Sequence, residues 1–316
     1  MKQIPRTLSL TEARAQNEHL IDHHLNRLLP VSDPQFEAKK RTCTDTRVII
    51  IPENETIREP IIFDQGEDTV FLLIIARSGS SATIFEQSSH SLVVEVHVEE
   101  NASVQYTAIT KNNHNVQRVG IAANGASLVW NEACLGQSVS WTTSILEGES
   151  SSSKNRGIFL GTHDQKFDVR SQSIHRGSHS TSELITHGAL SGSAHAKYRG
   201  LITILPGAEG CTGNQKEHTL LLSEKASTDA LPILEIHNHD VKSSHGVSIG
   251  KANDEHLFYL MSRGLSPRQA KRALVEGFFQ PFVGALDSSS SSSLLNSLLL
   301  SSIIQQIDQQ LEAMDL

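Results

Sequence analysis

The sequence is poor in the residues that mark several protein classes. Among its 316 residues are three cysteines, Cys43, Cys134 and Cys211. An odd and widely spaced set argues against a disulfide framework and against a CxxC-type zinc or cluster site. Lone thiols of this kind are usually buried as small apolar residues. Any metal site in this chain would therefore need histidines or ligands from a partner.

Charge and hydropathy exclude two further classes. The formal net charge is -8 and no long Lys/Arg run is present, so the electrostatic footprint of a nucleic-acid-binding protein is missing. No stretch approaches the ~20 apolar residues that span a bilayer, and we expect no membrane association. Residues 1–10 lack the apolar core of a signal peptide, so the expected location is cytoplasmic.

The common signatures of enzymes are also missing. The sequence has no Walker-type phosphate loop, no GxSxG elbow and no HExxH pair. We therefore expect no ATP hydrolysis by this chain and interpret it as non-catalytic. Asp164, Asp168 and Glu183 lie in a strand-rich region, where a carboxylate pair would suit polysaccharide cleavage. A β-helix carbohydrate-active enzyme is thus one alternative.

The first segment, residues 1–47, is predicted to be helical. Ser9 and Glu12 have the spacing of a capping box, and Pro30 is predicted to end the helix. The apolar face of this helix contains Ala13, Leu20, Ile21, Leu25 and Leu28.

Residues 48–250 are predicted to form about ten or more short strands. Apolar or alternating runs at 71–75, 92–98, 104–109 and 128–130 are separated by Gly, Asn, Asp and Ser clusters. A weak repeat of Ala, then Ser or Thr, then an aliphatic residue begins at Ala82, Ala102 and Ala126. This period is typical of stacked β-solenoid coils, but a β-sandwich would give similar turn signals.

The last segment, residues 251–316, is predicted to be a helical domain. Asn253 or Asp254 caps a first helix, and Gly264 ends it in a left-handed conformation. Ser266 and Gln269 form a second capping box around Pro267, at the start of a second short helix. A Ser-rich linker at 287–293 and an apolar-faced helix at 294–314 follow.

Sixteen histidines raise the question of a metal site. His237 and His239 are predicted at positions i and i+2 of one strand, a spacing compatible with a shared metal ion. Surface histidines on strands are commoner than ligands, and no third ligand can be assigned. The irregularly spaced His163, His175, His179 and His187 are interpreted as solvated or core residues.

One ordered series of motifs carries a family resemblance. The series runs Arg199-Gly200-Leu201-Ile202, Gly207-Ala208, the leucine run at 220–223 with Ala226, Pro232-Ile233-Leu234-Glu235-Ile236, Asp240-Val241-Lys242-Ser243-Ser244-His245-Gly246, Gly250, Phe258-Tyr259-Leu260-Met261-Ser262-Arg263-Gly264-Leu265 and Gly277-Phe278. It resembles the C-terminal core of the SufB/SufD family of iron-sulfur cluster assembly proteins and covers about a quarter of the chain. Leu260, where SufB would carry a cysteine, makes the chain more similar to SufD.

The resemblance implies a mainly β fold, a right-handed parallel β-helix core at 48–250 flanked by N- and C-terminal helical segments. It also implies a scaffold or adaptor subunit that binds the SufC ATPase and pairs with SufB. The partner-binding residues would be Phe258, Tyr259, Arg263, Gly264, Gly277 and Phe278. No cofactor would bind tightly to the isolated chain, whereas an iron-sulfur cluster could form at the SufB interface.

Two positions qualify this interpretation. His245 matches a SufD-type histidine that could ligate iron at the SufB interface, and the alternative is a buried histidine that fixes the turn before Gly246. Ser243 stands where many SufD proteins have a cysteine, which argues against thiolate ligation by this subunit. A SufB-like scaffold that acts as a homodimer with SufC is the remaining alternative.

Overall fold

The computed structural model describes residues 5–25, 34–64, 69–88, 91–111, 114–252 and 254–287, together with 301, 304–305 and 308–309. The four helices with assigned bounds are α1 (Leu10–Leu25), α2 (Pro34–Lys40), α3 (Asp254–Ser262) and α4 (Pro267–Asp287). The first sheet contains β1 (Leu8–Ser9), β2 (Asp45–Ile51), β4 (Val70–Ala76), β6 (Leu92–Val98), β8 (His114–Ala122), β10 (Ser138–Leu146), β12 (Lys166–His175), β14 (His195–Ile204) and β16 (Ser227–Ile236). The second sheet contains β3 (Ile61–Asp64), β5 (Ser81–Ser88), β7 (Ser103–Lys111), β9 (Ser127–Leu135), β11 (Ser152–Gly161), β13 (Thr181–Leu190), β15 (Cys211–Leu221) and β17 (Val241–Lys251).

From β2 onward the strands alternate between the two sheets along the chain. Each of these strands pairs in parallel with the strand two positions later, as β10 does with β12 and β11 with β13. One strand from each sheet therefore makes one coil of a solenoid, and stacked coils enclose a lumen. The predicted mainly β, parallel β-helix fold is confirmed, and the β-sandwich alternative is wrong. Only β1 pairs in the antiparallel sense, with β2.

The burial pattern of each strand follows from this architecture. In β10 buried and partly exposed residues alternate, since one face lines the lumen and the other faces outward. In β4 every residue is buried, because α1 and α2 cover the outer face of the first sheet there. Lys40 of α2 fixes this cover, with Nζ 2.8 Å from the buried Oε2 of Glu95.

A turn with one left-handed residue recurs at the same place in seven successive coils. The residues with positive φ in these turns are Asn54, Gly79, Asn101, Gly125, Ser150, His179 and Gly210. The backbone N–H of each donates to a carbonyl of the next coil, for example Asn101 N to Asn124 O at 2.9 Å. Asn and Gly tolerate this conformation best, whereas His179 adopts it at a conformational cost.

The predicted repeat is correct at two of its three positions. Ser103 pairs with Ser127, so Ala102 and Ala126 occupy equivalent positions. Ser103 also pairs with Ser81, so the equivalent of Ala102 is Ser80 and not Ala82. Ala82 already lies inside β5, where it faces the lumen. The coils also lengthen along the chain, because Thr181 pairs with Thr212, a longer interval than that between Ser81 and Ser103.

The helix signals are largely confirmed. Ser9 N–H donates to Glu12 Oε2 at 2.8 Å, and Ser266 N–H donates to Gln269 Oε1 at 2.8 Å, so both capping boxes form. Asn17 has a non-helical backbone that divides α1 into two segments. The second C-terminal helix is not short, since α4 continues past Phe278 and through Pro281 to Asp287.

Some predictions fall outside the described residues. Asn253, Leu28 and Pro30, where α1 was expected to end, are among these, although α1 itself ends at Leu25. The linker at 288–293 and most of the helix predicted at 294–314 are also outside. The described residues of that last segment are helical, and Asp308 Oδ1 lies 2.8 Å from Arg272 Nη1 of α4.

Candidate functional site

The solenoid ends in an open coil made by β16 and β17. Among the strands that the structure describes, each is the last of its sheet, and each leaves an edge of ten or more residues without a pairing strand. Both strands are largely exposed and carry large apolar side chains, with Leu231 51%, Ile236 40% and Ile249 47% exposed. Unpaired edges with exposed apolar side chains are surfaces on which another chain can add strands.

His245 lies near the middle of this open coil. It pairs with Gln215 of β15, whose side chain faces the lumen, so His245 lies on the lumen side of β17. The residue is exposed, because no coil within the described ranges lies beyond β17. The alternative interpretation of a buried histidine is therefore wrong for the single chain. Ser243, two residues earlier on the same face, has an unpartnered hydroxyl.

The other predicted histidine pair does not form a site. His237 and His239 lie after the end of β16, in the connection to β17, and not on one strand. The expected i and i+2 geometry is therefore absent. Among the described residues, no group of three or more His, Cys, Asp or Glu side chains is arranged to hold a metal ion.

Beside the open coil, α3 and α4 form a helical hairpin. Gly264 ends α3 with a φ of 97°, which is why glycine suits this turn. Phe258 is 74% exposed and Tyr259 is 56% exposed. The guanidinium of Arg263 lies over the Tyr259 ring at 5.4 Å, and its Nη2 donates to Tyr259 Oη at 3.2 Å.

A cavity of about 530 Å³ lies between α3, the first half of α4 and the edge of the solenoid. Gly277, Phe278, Tyr259 and Leu260 line it together with Lys251 of β17. The hairpin residues predicted to bind a partner thus divide into two groups. Phe258 and Arg263 face outward, whereas Gly277 and Phe278 line the cavity, and Tyr259 borders the cavity while remaining 56% exposed.

The helix α4 is attached to the outer face of the second sheet. Val275, Phe279 and Phe282 are buried against Leu160, Ala189 and Ile158. Phe278 contacts the imidazole of His187, which stacks on His218 with ring centroids 5.2 Å apart. Burial, and then the neighbouring His218, lower the pKa of His187 to about 4. His187 is therefore uncharged at neutral pH.

The irregularly spaced histidines named in the sequence analysis have structural roles. His163 and His179 occupy turn positions with positive φ. His175 is buried in the lumen, where its two ring nitrogens contact Ser180 Oγ at 2.8 Å and Ser182 Oγ at 2.7 Å. Burial lowers the pKa of His175 to about 4. The interpretation of these residues and of His187 as solvated or core histidines is confirmed.

The thiols are held within the fold. Cys134 and Cys211 are buried, and Cys43 is partly buried. Burial raises the pKa values of the Cys43 and Cys134 thiols. Cys211 Sγ lies 3.2 Å from Ser180 Oγ in the turn between coils. The raised pKa values of Cys43 and Cys134 favour the protonated thiol and disfavour nucleophilic chemistry at these two residues.

The carboxylates do not form a glycosidase pair. Asp168 lies on the outer face of the first sheet, where it accepts from Arg170 Nε at 3.1 Å. Glu183 is on the outer face of the second sheet, and Asp164 is in the turn that precedes β12. The carbohydrate-active alternative thus lacks its two facing carboxylates.

Sequence reasoning missed two buried charged groups. Inside the lumen, Arg118 donates to Glu86 at 2.8 Å and to Glu132 at 2.7 Å, and Tyr106 Oη donates to Glu86 at 2.7 Å. Farther along, Glu217 of β15 is fully buried without an ion-pair partner among the residues that the structure describes. In the sequence, the one available signal for either buried group was the alternation of charged and polar residues within strands.

Comparison with known proteins decides the family. A family model described as "SUF system FeS cluster assembly, SufBD core domain" matches residues 64–278, which is more than half of the chain. The chain belongs to the SufBD family.

Individual relatives of the SufBD family agree with this assignment. The chain is 28% identical over 300 residues to an iron-sulfur cluster assembly SufBD family protein of Staphylococcus saprophyticus and, equally, to one of Staphylococcus epidermidis. It is 26% identical over 302 residues to the corresponding protein of Staphylococcus aureus strain MRSA252. Each comparison covers 87% of this chain and 64% of the relative. The chain therefore spans less than two thirds of the length of these relatives.

The matched region contains most of the candidate surfaces. The open coil, His245, α3 and the first half of α4 as far as Phe278 all lie within residues 64–278. In the part of the SufBD chain that the structure describes, no helix combines the length and apolar character needed to cross a bilayer.

Proposed function

We propose that this chain is a SufD-like scaffold and adaptor subunit, without catalytic activity of its own, that binds the SufC ATPase and pairs with SufB in the cytoplasm. The observation that carries the proposal is the position of two unpaired surfaces at one end of the molecule. These are the open coil of β16 and β17 and the exposed side of the α3–α4 hairpin.

The open coil suits SufB, because a homologous solenoid would continue both sheets across its free edges. His245 would lie at this junction, where an imidazole can ligate iron if a partner supplies further ligands. The cluster is cargo assembled between two chains, and the isolated chain holds no tightly bound cofactor in this proposal.

The hairpin suits the ATPase. Phe258 and Tyr259 expose aromatic rings, and Arg263 adds a guanidinium held against one of them. Aromatic and Arg side chains of this kind are typical anchors of protein interfaces. Movement imposed on α3 and α4 would reach the solenoid through Phe278 and His187.

The experiment is a co-purification of the tagged chain, co-expressed with SufC and SufB. Phe258→Ala should lose SufC and retain SufB, whereas Ile249→Lys in the free edge of β17 should lose SufB and retain SufC. Ile62→Lys is the control, since Ile62 is 57% exposed at the other end of the solenoid. A truncation after Gly250 should also lose SufC.

The outcomes separate the candidates. Loss of self-association by Ile249→Lys in the absence of SufB would instead support the SufB-like homodimer. If the unmodified chain retains neither SufC nor SufB, the adaptor proposal is wrong.

A further inference from the structure

The lumen of the solenoid changes character along its length. In the coils from β2 to β9 most inward side chains are apolar and form one continuous cluster, interrupted by the buried charged group of Arg118, Glu86 and Glu132. From β10 onward many inward positions carry polar residues, which are buried all the same. These include Ser138, Ser140, Thr142, Ser144, Ser153, Asn155, Ser171, Ser173, Ser182, Thr186, Gln215, Glu217 and Thr219.

Near the open coil this polar lumen contains side chains without partners. Hydrogen-bond partners are lacking for Tyr198 Oη, both polar atoms of the Gln215 amide, Glu217 Oε2, Thr228 Oγ1 and Ser243 Oγ. Tyr198, Gln215 and Glu217 lie at one level of the lumen, and we call these three residues the lumen chamber. Thr228, which pairs with Ala196, and Ser243, which pairs with Gly213, lie on either side of that level. Native proteins satisfy nearly all buried polar groups, so orphan atoms concentrated in one place indicate a polar occupant.

Several contacts place these residues together. Tyr198 of β14 and Gln215 and Glu217 of β15 are each at most 1% exposed. A Cβ atom on Gly200, two residues after Tyr198, would lie 2.3 Å from Gln215 Nε2, so the amide fills the space that this glycine leaves. Burial, and also the charge of nearby Glu217, raise the pKa of Tyr198 to about 12.

The mouth of the chamber is the open coil. Gln215 pairs with His245, and Gly213 pairs with Ser243, so β17 forms one side of the entrance. A Cβ on Gly213 would lie 3.3 Å from Ser243 Oγ, which shows how closely this hydroxyl approaches β15. Glu217 therefore lies one coil behind the open end of the solenoid.

Glu217 determines what kind of occupant fits. Its Oε1 accepts a hydrogen bond from Thr219 Oγ1, and its Oε2 is free. Burial raises the pKa of Glu217 to about 7. A buried carboxylate without a counter-charge is costly, and a bound cation removes that cost. The other donors that face it are an amide oxygen and hydroxyl oxygens.

We propose that the lumen chamber binds a divalent metal cation through the Glu217 carboxylate, with Gln215 Oε1 and the Tyr198 hydroxyl as neutral oxygen ligands. Carboxylate and amide oxygens suit divalent ions of the Mn²⁺ and Fe²⁺ type. The identity of the ion rests on the proposed function, in which iron is the cargo and the chamber holds it one coil behind His245.

The test is metal binding by the purified full chain without partners. Mn²⁺ is the first probe, followed by electron paramagnetic resonance and by equilibrium dialysis, and Fe²⁺ under anaerobic conditions is the second. Glu217→Gln keeps the shape and removes the charge. Glu183→Gln, on the outer face of β13, is the matched control, and His245→Ala removes the imidazole of the open coil.

The expected result is a bound ion in the unmodified chain, in Glu183→Gln and in His245→Ala, and its loss in Glu217→Gln. The melting temperature should rise with Mn²⁺ in the first three proteins and stay constant in Glu217→Gln. Equal metal binding by Glu217→Gln and the unmodified chain overturns the proposal, as does a chain that takes up no ion at all. Neither result tests the proposed adaptor function, which the co-purification with SufC and SufB tests separately.

Discussion

The ring of Phe278 meets the imidazole of His187 edge-on, with ring centroids 5.3 Å apart and an interplanar angle of 81°. This contact joins α4 to the outer face of β13, beneath the hairpin that carries the exposed aromatic residues. Because His187 also stacks on His218, protonation of either ring would place a charge under α4.

Attachment of α4 should therefore weaken in acid. The pKa of His187 is about 4 in the folded protein, against an ordinary value of 6.5. The unfolded chain binds the proton more tightly, so this contribution to stability is complete above pH 6.5 and is lost as the pH falls toward 4. Between pH 7 and pH 5 the free energy of unfolding should decrease in both proteins. We expect that decrease to be about 1–2 kcal/mol smaller in His187→Gln than in the unmodified protein.

Urea denaturation at the two pH values measures this difference. His175 has a similarly lowered pKa and is unchanged in the variant, so it contributes equally to both proteins. Identical pH dependence of His187→Gln and the unmodified protein would show that His187 is not the titrating group under α4.

The buried cluster around Arg118 should be sensitive to the loss of its cation. Arg118→Leu leaves Glu86 and Glu132 facing each other in the lumen without a counter-charge. Loss of one member of a buried charge group typically costs about 3–5 kcal/mol. Thermal or urea unfolding should show this loss, whereas Arg156→Leu, on the outer face of β11, should change stability by less than about 0.5 kcal/mol. Comparable losses in both variants would contradict a specific role for the cluster.

Two phenylalanines of the hairpin should separate stability from binding. Phe279 belongs to α4 and is completely buried against the second sheet, so Phe279→Ala should destabilise the protein by about 3–5 kcal/mol. Phe258 is 74% exposed, and Phe258→Ala should leave the unfolding midpoint nearly unchanged. A large destabilisation by Phe258→Ala would mean that this ring supports the fold and is not available to a partner.

One glycine of the solenoid is fixed by close packing. A Cβ on Gly188 would lie 2.0 Å from Cζ of Phe159 inside the lumen, whereas a Cβ on Gly250 would meet nothing within 4 Å. Gly188→Ala should therefore cost about 1–3 kcal/mol, and Gly250→Ala should be close to neutral. Chemical denaturation of the two variants measures the difference, and equal midpoints would refute the packing argument.

The sequence predicted the fold where patterns act locally. Alternation along β6 and β7 defined strands within one or two residues of their observed ends, and Ser9 with Glu12 and Ser266 with Gln269 marked both helix starts. Register was harder, because it depends on pairing across coils. The motif at Ala82 resembles the turn motifs at Ala102 and Ala126, yet it lies inside a strand.

The candidate site was predictable only in part. The motif around His245 indicated its family and its place near the end of the core, but its exposure depends on the absence of a further coil among the residues that the structure describes. Gln215 and Glu217 lie on a strand whose two faces are both polar, so alternation alone could not tell which face lines the lumen. The orphan atoms of the lumen chamber become visible only when the coils are stacked.

The two-residue strand β1 limits how many copies could join. It pairs in the antiparallel sense with Arg47 and Val48, and so occupies part of the outer edge of β2 at the first coil. The other strand of that end, β3, has only four residues. If a partner adds to β16 and β17 as proposed, the described part of the chain behaves like a monofunctional monomer of polymer chemistry, because its other end offers only a short and partly covered edge. We then expect a pair, where a solenoid with two equal ends would grow into a fibre.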